Sequence, residues 1–133
     1  IDHGSKLIGI AISNKELFIA TPLTTIVRKK QNTDFNELFK IIKEKDIGGI
    51  VVGLPLNMNG TKGPRCQSVE TFFRNFLTFH DIPLLFQDER MSSQAIEKIF
   101  ISQDVSRKKR SSNIDKHAAC WILQSALDFL KKR

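Results

Sequence analysis

The chain contains few of the residues that build disulfide-rich, zinc-binding or membrane-embedded proteins. Only two cysteines, Cys66 and Cys120, occur in 133 residues, and they lie in separate segments without CxxC spacing. This pattern predicts reduced thiols and disfavours both a disulfide scaffold and a zinc site. No apolar run approaches the roughly 18 residues of a membrane span, and no signal-peptide pattern opens the chain. We therefore expect a cytoplasmic protein without a membrane partner.

Several nucleotide-binding and RNA-binding signatures are also absent. Tyrosine does not occur, and no aromatic signature of an RNA-recognition motif is present. Walker and dinucleotide-binding glycine motifs are missing as well. Trp121 and the ten phenylalanines are interpreted as core residues rather than base-stacking platforms. The three histidines lack metal-ligand spacing, although His3 and His117, which neighbour acidic residues, are weak candidates for phosphate contact.

Basic residues outnumber acidic ones, and the excess is uneven. The net charge is +7, and residues 104–133 hold eight Lys or Arg against three acids. The centre of this basic excess is the run formed by Arg107, Lys108, Lys109 and Arg110. Such a run is either a solvated loop or a grip for phosphates, and the overall charge favours a nucleic-acid partner.

Acidic residues in three distant segments are the most informative feature. Asp2 precedes a glycine turn, Asp88 and Glu89 end an apolar run, and Asp115 opens the last helical stretch. Each has an ordinary alternative: a turn residue, a surface salt bridge, or an acid favouring a helix dipole. Adjacent strand residues point to opposite faces, so we expect only one carboxylate of Asp88 and Glu89 to reach a cation directly. Gathered together, these acids predict a Mg²⁺ or Mn²⁺ site.

The hydrophobic pattern predicts an α/β fold in one domain, residues 1–133. The predicted strands are a first strand ending at Ile1 and Asp2, then residues 6–12, 17–27, 48–53 and 84–86. Four helices are predicted. The first begins at a capping box on Asp34, and the second covers residues 66–79. The third carries Ala95, Ile96, Ile99 and Phe100, and the fourth runs from Asn113 to about Leu130. A basic loop is predicted at residues 102–112. We expect residues ahead of Ile1 to complete the first strand.

This order of elements predicts a five-stranded mixed sheet flanked by helices. Three antiparallel strands precede alternating helices and strands, as in the ribonuclease-H-like architecture. The carboxyl end of a parallel strand, where Asp88 and Glu89 lie, is where such sheets place their sites. The connection at residues 53–64 is either a plain surface loop or, through Asn57 and Lys62, a contact for a sugar-phosphate backbone.

Three segments resemble the YqgF/RuvX family of Holliday-junction-resolvase-like nucleases. They are DHGSKLIGIAIS at residues 2–13, VVGLPLNMNGTKGP at residues 51–64, and DER at 88–90 with IDKHAA at 114–119 and ILQ at 122–124. They occur in the family's order and span nearly the whole chain. The chain departs from the family in having Lys6-Leu7 where Lys-Arg is usual, and His3 where an apolar residue is usual.

The resemblance implies a ribonuclease-H-like, metal-dependent phosphodiesterase that matures the 5′ end of precursor 16S ribosomal RNA in the bacterial cytoplasm. It places the catalytic and metal-binding acids on Asp2, Glu89 and Asp115, with Asp88 as an alternate, holding one or two Mg²⁺ or Mn²⁺ ions. We expect nucleic-acid contacts from Lys6, Asn57, Lys62, Arg90, Arg107, Lys108, Lys109 and Arg110.

Other functions remain open at this point. The chain could be a resolvase-like endonuclease for branched DNA, for which a homodimer suits a symmetric junction. It could also bind nucleic acid or a ribosomal precursor particle as a scaffold without cutting, as a monomer or homodimer. An actin-like ATPase fragment is disfavoured, because one small domain cannot close over a nucleotide.

Overall fold

The computed structural model describes residues 1–89 and 107–131, with the backbone alone described for residues 107–116. The strands in these ranges are β1 (Asp2–His3), β2 (Leu7–Ser13), β3 (Ala20–Val27), β4 (Ile50–Leu54) and β5 (Leu84–Asp88). The helices are α1 (Gln31–Glu44), α2 (Pro64–Phe79) and α3 (Arg107–Lys131). The predicted α/β class is confirmed. The helix predicted around residues 95–100 lies outside the described residues.

The described strands form two sheets, so the prediction of one five-stranded sheet is wrong. Strands β1, β2 and β3 pair in an antiparallel order, and β4 pairs with β5 in parallel. The two sheets are nevertheless joined by hydrogen bonds next to β1. A single residue ahead of it bridges to β4: the Ile1 nitrogen donates to the Val51 carbonyl at 2.6 Å, and the Gly53 N–H donates to the Ile1 carbonyl at 3.0 Å. This is the hydrogen-bond pattern of a parallel pair.

A cleft opens between β2 and β4 beyond Ile1. It has a volume of about 540 Å³, and its walls include Ala11 and Ile12 of β2 and Ile50 of β4.

The helices cover both faces of the strands. Buried side chains of α1 and α2 form one core with β2, β3 and β4: Phe35, Leu38, Val69, Phe72, Phe73, Phe76, Ile8, Ile10, Ile26 and Val52. On the opposite face, α3 packs most closely on β2 and β3. Its buried residues are largely small, since Ala118, Ala119 and Ala126 lie beside Ile122 and Leu127. Small side chains allow this helix to lie close to the strands.

The turn between β2 and β3 is longer than predicted. The third strand begins at Ala20 rather than Leu17, because Leu17 has a left-handed φ of 61°. The Asn14 side chain accepts hydrogen bonds from the N–H groups of Phe18 and Ile19, which fixes these residues in the turn. Pro22 lies on an edge strand next to a register shift, where a missing N–H is tolerated.

Two helices begin earlier than predicted. Helix α1 starts at Gln31, so Asp34 is not its cap. Asp34 is instead fully buried, where it accepts the Lys29 N–H at 2.9 Å and lies 3.7 Å from Arg28 Nε. The basic run predicted as a loop forms the first turns of α3. Lysine and arginine are good helix formers, and neither Gly nor Pro occurs between residues 101 and 113 to stop the helix.

Four aromatic residues assigned to the core lie at the surface of the described structure. Trp121 is 50% exposed, and Phe18, Phe79 and Phe129 are 49%, 69% and 58% exposed. The assignment of every aromatic residue to the core was therefore wrong. None of the described helices is both long and apolar enough to cross a membrane.

Candidate active site

The strand arrangement brings two of the predicted acids together. Asp2 lies in β1 opposite Gly9, and Glu89 directly follows β5, where its N–H donates to the Leu54 carbonyl at 3.2 Å. Because β4 lies between β1 and β5, the two acids reach the same end of the strands. Their side chains form a hydrogen bond with each other. Residues separated by most of the chain thus form one carboxylate pair.

Gly53 provides the space that the Glu89 side chain occupies. A β-carbon built on Gly53 would lie 2.5 Å from Glu89 Oε2 and 2.5 Å from Ile122 Cδ1. Both distances are too short for real contacts. The absent side chain at Gly53 therefore lets β4, the Glu89 carboxylate and α3 meet at one point.

The carboxylate pair is partly buried, and its protonation reflects that burial. The pKa of Glu89 is raised to about 8, first by burial and then by the charge of Asp2 and the hydrogen bond with it. Burial also raises the pKa of Asp2, while the hydrogen bond from Glu89 and the charge of Arg65 oppose this increase. Ionising both carboxylates at once costs free energy, and a positive charge between them lowers this cost. The donor set, oxygen atoms carrying negative charge, fits Mg²⁺ or Mn²⁺.

The other two predicted acids, Asp88 and Asp115, do not belong to the described carboxylate pair. Asp88, the last residue of β5, is exposed, whereas the adjacent Glu89 is partly buried. Asp115 belongs to α3, but its side chain is not among the described atoms. Its position is seven residues before Ile122, and that spacing puts both positions on one face of a helix. Among the side chains that the structure describes, no three potential ligands form a cluster.

Two arginines hold the turn that follows Asp2, and sequence reasoning identified neither. Arg65, at the start of α2, donates through Nη2 to the His3 carbonyl, and this nitrogen lies 3.1 Å from His3 Nδ1. Arg28 donates through Nη1 to the Gly4 carbonyl at 3.1 Å. For Arg65 a signal existed, since it directly follows the distinctive segment that ends at Pro64. For Arg28 nothing in the sequence pointed to the turn.

His3 is a buried residue and not a phosphate ligand. It is 3% exposed and packs against the ring of Phe72, with ring centroids 4.4 Å apart. Burial, followed by the charges of Arg28 and Arg65, lowers the pKa of His3 to about 4. The side chain is therefore neutral near pH 7, which corrects the interpretation of His3 as a phosphate contact.

The predicted nucleic-acid contacts occupy different settings. Lys6 is exposed in the turn between β1 and β2. Lys62 is also exposed, but its ammonium forms an ion pair with Glu70 at 3.1 Å. Arg90 lies outside the described residues. The basic run at residues 107–110 is helical, with its side chains not described.

The connection between β4 and α2 is held by its own hydrogen bonds. The Asn57 N–H donates to the Thr61 carbonyl at 2.9 Å, and Asn57 Nδ2 donates to Thr61 Oγ1 at 3.0 Å. Gly60 takes a left-handed φ of 85°, which closes the turn. These hydrogen bonds therefore give the loop a defined conformation. The side-chain amide of Asn57 contributes to that conformation.

The sequence matches a family of known nucleases over almost all of its length. The RuvX family model, described as Holliday junction resolvase, matches residues 1–129. A protein of a Ruegeria species is 49% identical over 131 residues, which are 98% of this chain and 83% of the relative. Ruegeria pomeroyi has a relative 47% identical over 131 residues, covering 98% of this chain and 85% of the relative. A Bartonella henselae relative is 45% identical over 128 residues, covering 96% of this chain and 80% of the relative.

All three relatives carry the name "Putative pre-16S rRNA nuclease". The family match and these identities agree with the three segments that carry the resemblance. The chain belongs to the RuvX family.

Proposed function

We propose that this protein is a divalent-metal-dependent nuclease with a ribonuclease-H-like fold, which hydrolyses phosphodiester bonds at the 5′ end of precursor 16S ribosomal RNA. The observation that carries the proposal is the partly buried, hydrogen-bonded pair of Asp2 and Glu89, in a chain whose relatives bear the name "Putative pre-16S rRNA nuclease". The net charge of +7 suits a polyanionic substrate.

In this proposal Asp2 and Glu89 bind the cation, and Asp115 completes the set from α3. When bound there, Mg²⁺ or Mn²⁺ would supply Lewis-acid stabilisation of the negative charge on the phosphate. The two acids would hold the cation through their carboxylate oxygens, and Gly53 leaves the space that the Glu89 carboxylate occupies. Lys6, Arg90 and the basic run at residues 107–110 position the sugar-phosphate backbone around the reacting bond.

The test is a cleavage assay with single-residue variants. A precursor 16S RNA segment containing the mature 5′ end is incubated with Mg²⁺ or Mn²⁺ and with the wild type, Asp2→Asn or Glu89→Gln. We expect each variant to lose at least about a hundredfold in rate, because several kcal/mol of charge stabilisation depend on the cation. The matched control is Asp81→Asn, an exposed acid before the other end of β5, which should cut like the wild type.

A resolvase-like activity is the second candidate, favoured by the description of the matching family as Holliday junction resolvase. A four-way DNA junction is therefore incubated under the same conditions. Metal-dependent cutting of the junction without cutting of the RNA would replace the proposed substrate. Binding of either substrate with no cutting by the wild type would contradict the nuclease assignment and favour a scaffold.

A further inference from the structure

Arg65 is a guanidinium fixed beside the carboxylate pair. It lies in the first turn of α2, and its Nη2 is held by the carbonyl and Nδ1 of His3, the residue after Asp2. His3 directly follows Asp2 in the chain, so these contacts fix the guanidinium beside the peptide that carries Asp2. The side chain is therefore anchored at one nitrogen next to the Asp2 segment.

Among the described residues, the polar contacts of Arg65 use only one of its nitrogens. A guanidinium has five N–H donors, and both polar contacts of Arg65 with His3 use Nη2. Among the described residues, Nε and Nη1 of Arg65 form no hydrogen bond, and Arg65 has no carboxylate within ion-pair distance. Other cations near this turn differ: Lys62 is paired with Glu70, and Arg28 lies 3.7 Å from Asp34.

Phosphate is the ligand chemistry that fits this arrangement. A guanidinium presents parallel N–H groups that match two oxygens of a phosphate, and prior anchoring reduces the entropy lost on binding. Arg65 is only partly buried, so a ligand can approach it from solvent.

We propose that Arg65 binds a non-bridging oxygen of the substrate phosphate at the Asp2–Glu89 pair, using the guanidinium nitrogens that His3 leaves unoccupied. This rests on the proposed function, in which that phosphate belongs to the bond being cut. The rival role is that of a brace: Arg65 could serve only to hold the peptide that carries Asp2. The two roles differ in salt dependence, since only a phosphate contact displaces a counterion.

The experiment measures binding and cleavage separately. A fluorescent precursor 16S RNA segment is titrated in EDTA with the wild type, Arg65→Gln, Arg65→Lys and Arg74→Gln across a series of KCl concentrations. Arg74 is the matched control, because it is an exposed arginine further along the same helix. Cleavage with Mg²⁺ then gives kcat and KM for each protein, and thermal melting shows whether each variant is folded.

For Arg65→Gln we expect roughly tenfold to a hundredfold weaker RNA binding and a slope of log K against log salt reduced by about 0.7. Arg65→Lys should retain the slope, since it keeps the charge, but not the full affinity. Arg74→Gln should match the wild type. If Arg65→Gln melts at too low a temperature to be assayed, Arg65→Lys is compared with the wild type in RNA affinity and KM. Weaker affinity and a higher KM support the phosphate contact, and unchanged values contradict it.

An unchanged salt slope in Arg65→Gln together with a reduced kcat would overturn the phosphate contact and identify a brace. An equal loss in Arg74→Gln would overturn it as well, since helix charge alone would then explain the effect. If the wild type does not cut RNA but Arg65→Gln still reduces the slope, the proposed function fails and the phosphate contact stands.

Discussion

At the scale of single residues, Gly53 determines whether Glu89 can reach Asp2. Its missing side chain leaves the volume into which the Glu89 carboxylate and the Ile122 methyl group project. The sequence marked this glycine only as part of a strand. Its role follows from three segments that meet in space, and no local pattern in the chain indicates that meeting.

Replacing Gly53 with alanine should move the Glu89 carboxylate away from Asp2. We expect cleavage to fall roughly tenfold to a hundredfold, because a displacement near 1 Å at a catalytic group has effects of this size. The free energy of unfolding should fall by about 1–3 kcal/mol through overpacking. Cleavage rates and urea denaturation check these values. The control is Gly48→Ala, since a β-carbon at Gly48 meets no atom within 4 Å. Equal effects in both variants would contradict the role of Gly53.

The raised pKa of Glu89 predicts how stability changes with pH when no metal is present. The pKa of Glu89 is about 8 in the folded protein, and in the unfolded chain it returns to near its ordinary value of 4.5. Between these values the folded state binds more protons than the unfolded state, so its stability falls as pH rises. Denaturation in EDTA across pH 4.5 to 8 measures this slope. Glu89→Gln removes the titrating group, and an unchanged slope in that variant would refute the prediction.

At the scale of elements, Gln124 ties α3 to the turn between β2 and β3. Its Oε1 accepts the Ala20 N–H at 2.9 Å, its Nε2 donates to the Phe18 carbonyl at 2.9 Å, and Nε2 also donates to Asp128 Oδ1 at 3.0 Å. One side chain thus connects two elements that are far apart in the sequence. The three-strand sheet and its covering helix are held in one relative position.

Replacing Gln124 with alanine should loosen this connection. Two backbone groups of the turn lose their partner, so we expect the free energy of unfolding to fall by about 1–2 kcal/mol. Hydrogen exchange at Ala20 should accelerate more than exchange in α2. Gln67→Ala is the control, because Gln67 is exposed on α2, far from the turn in the sequence. Slow exchange at Ala20 in Gln124→Ala would argue against this role.

Helices with a clear hydrophobic pattern in the sequence were predicted correctly. The residues at which they begin were not. The spacing of Val69, Phe72, Phe73 and Phe76 identified α2, because these positions form one buried face. The start of α1 was predicted wrongly, since Asp34 has the form of a capping residue. Its actual partners, Lys29 and Arg28, are defined by the path of the preceding loop.

At the scale of the whole molecule, the charge and the acids belong to different parts of the structure. Asp2 lies in β1 and Glu89 directly follows β5, whereas the largest basic run forms the beginning of α3. Since successive positions of a helix lie about 100° apart around its axis, one flat surface cannot face four of them in a row. The helical form therefore allows fewer of these side chains to reach one phosphate backbone than a loop would.

Replacing Arg107, Lys108, Lys109 and Arg110 with glutamine should weaken RNA binding without abolishing it. If about two phosphates are no longer neutralised, the slope of log K against log salt should fall by roughly 1.4. Binding titrations in KCl measure the change. The control replaces Lys40 and Lys43 of α1, which packs on the opposite face from α3. A comparable decrease in the control would show that net charge, and not this segment, sets the affinity.

The sequence by itself determined the α/β class, the family and the acids that merit testing, because those properties depend on residue types and periodicities that are local. It also located the basic run at residues 107–110 and the connection at residues 53–64. It did not determine which side chains meet. Only the tertiary structure decided that Glu89 faces Asp2, that Gly53 makes room for it, that His3 is buried, and that Arg65 lies beside the pair. Such contacts join segments far apart in the chain, and their geometry is fixed by strand register and helix packing rather than by neighbouring residues.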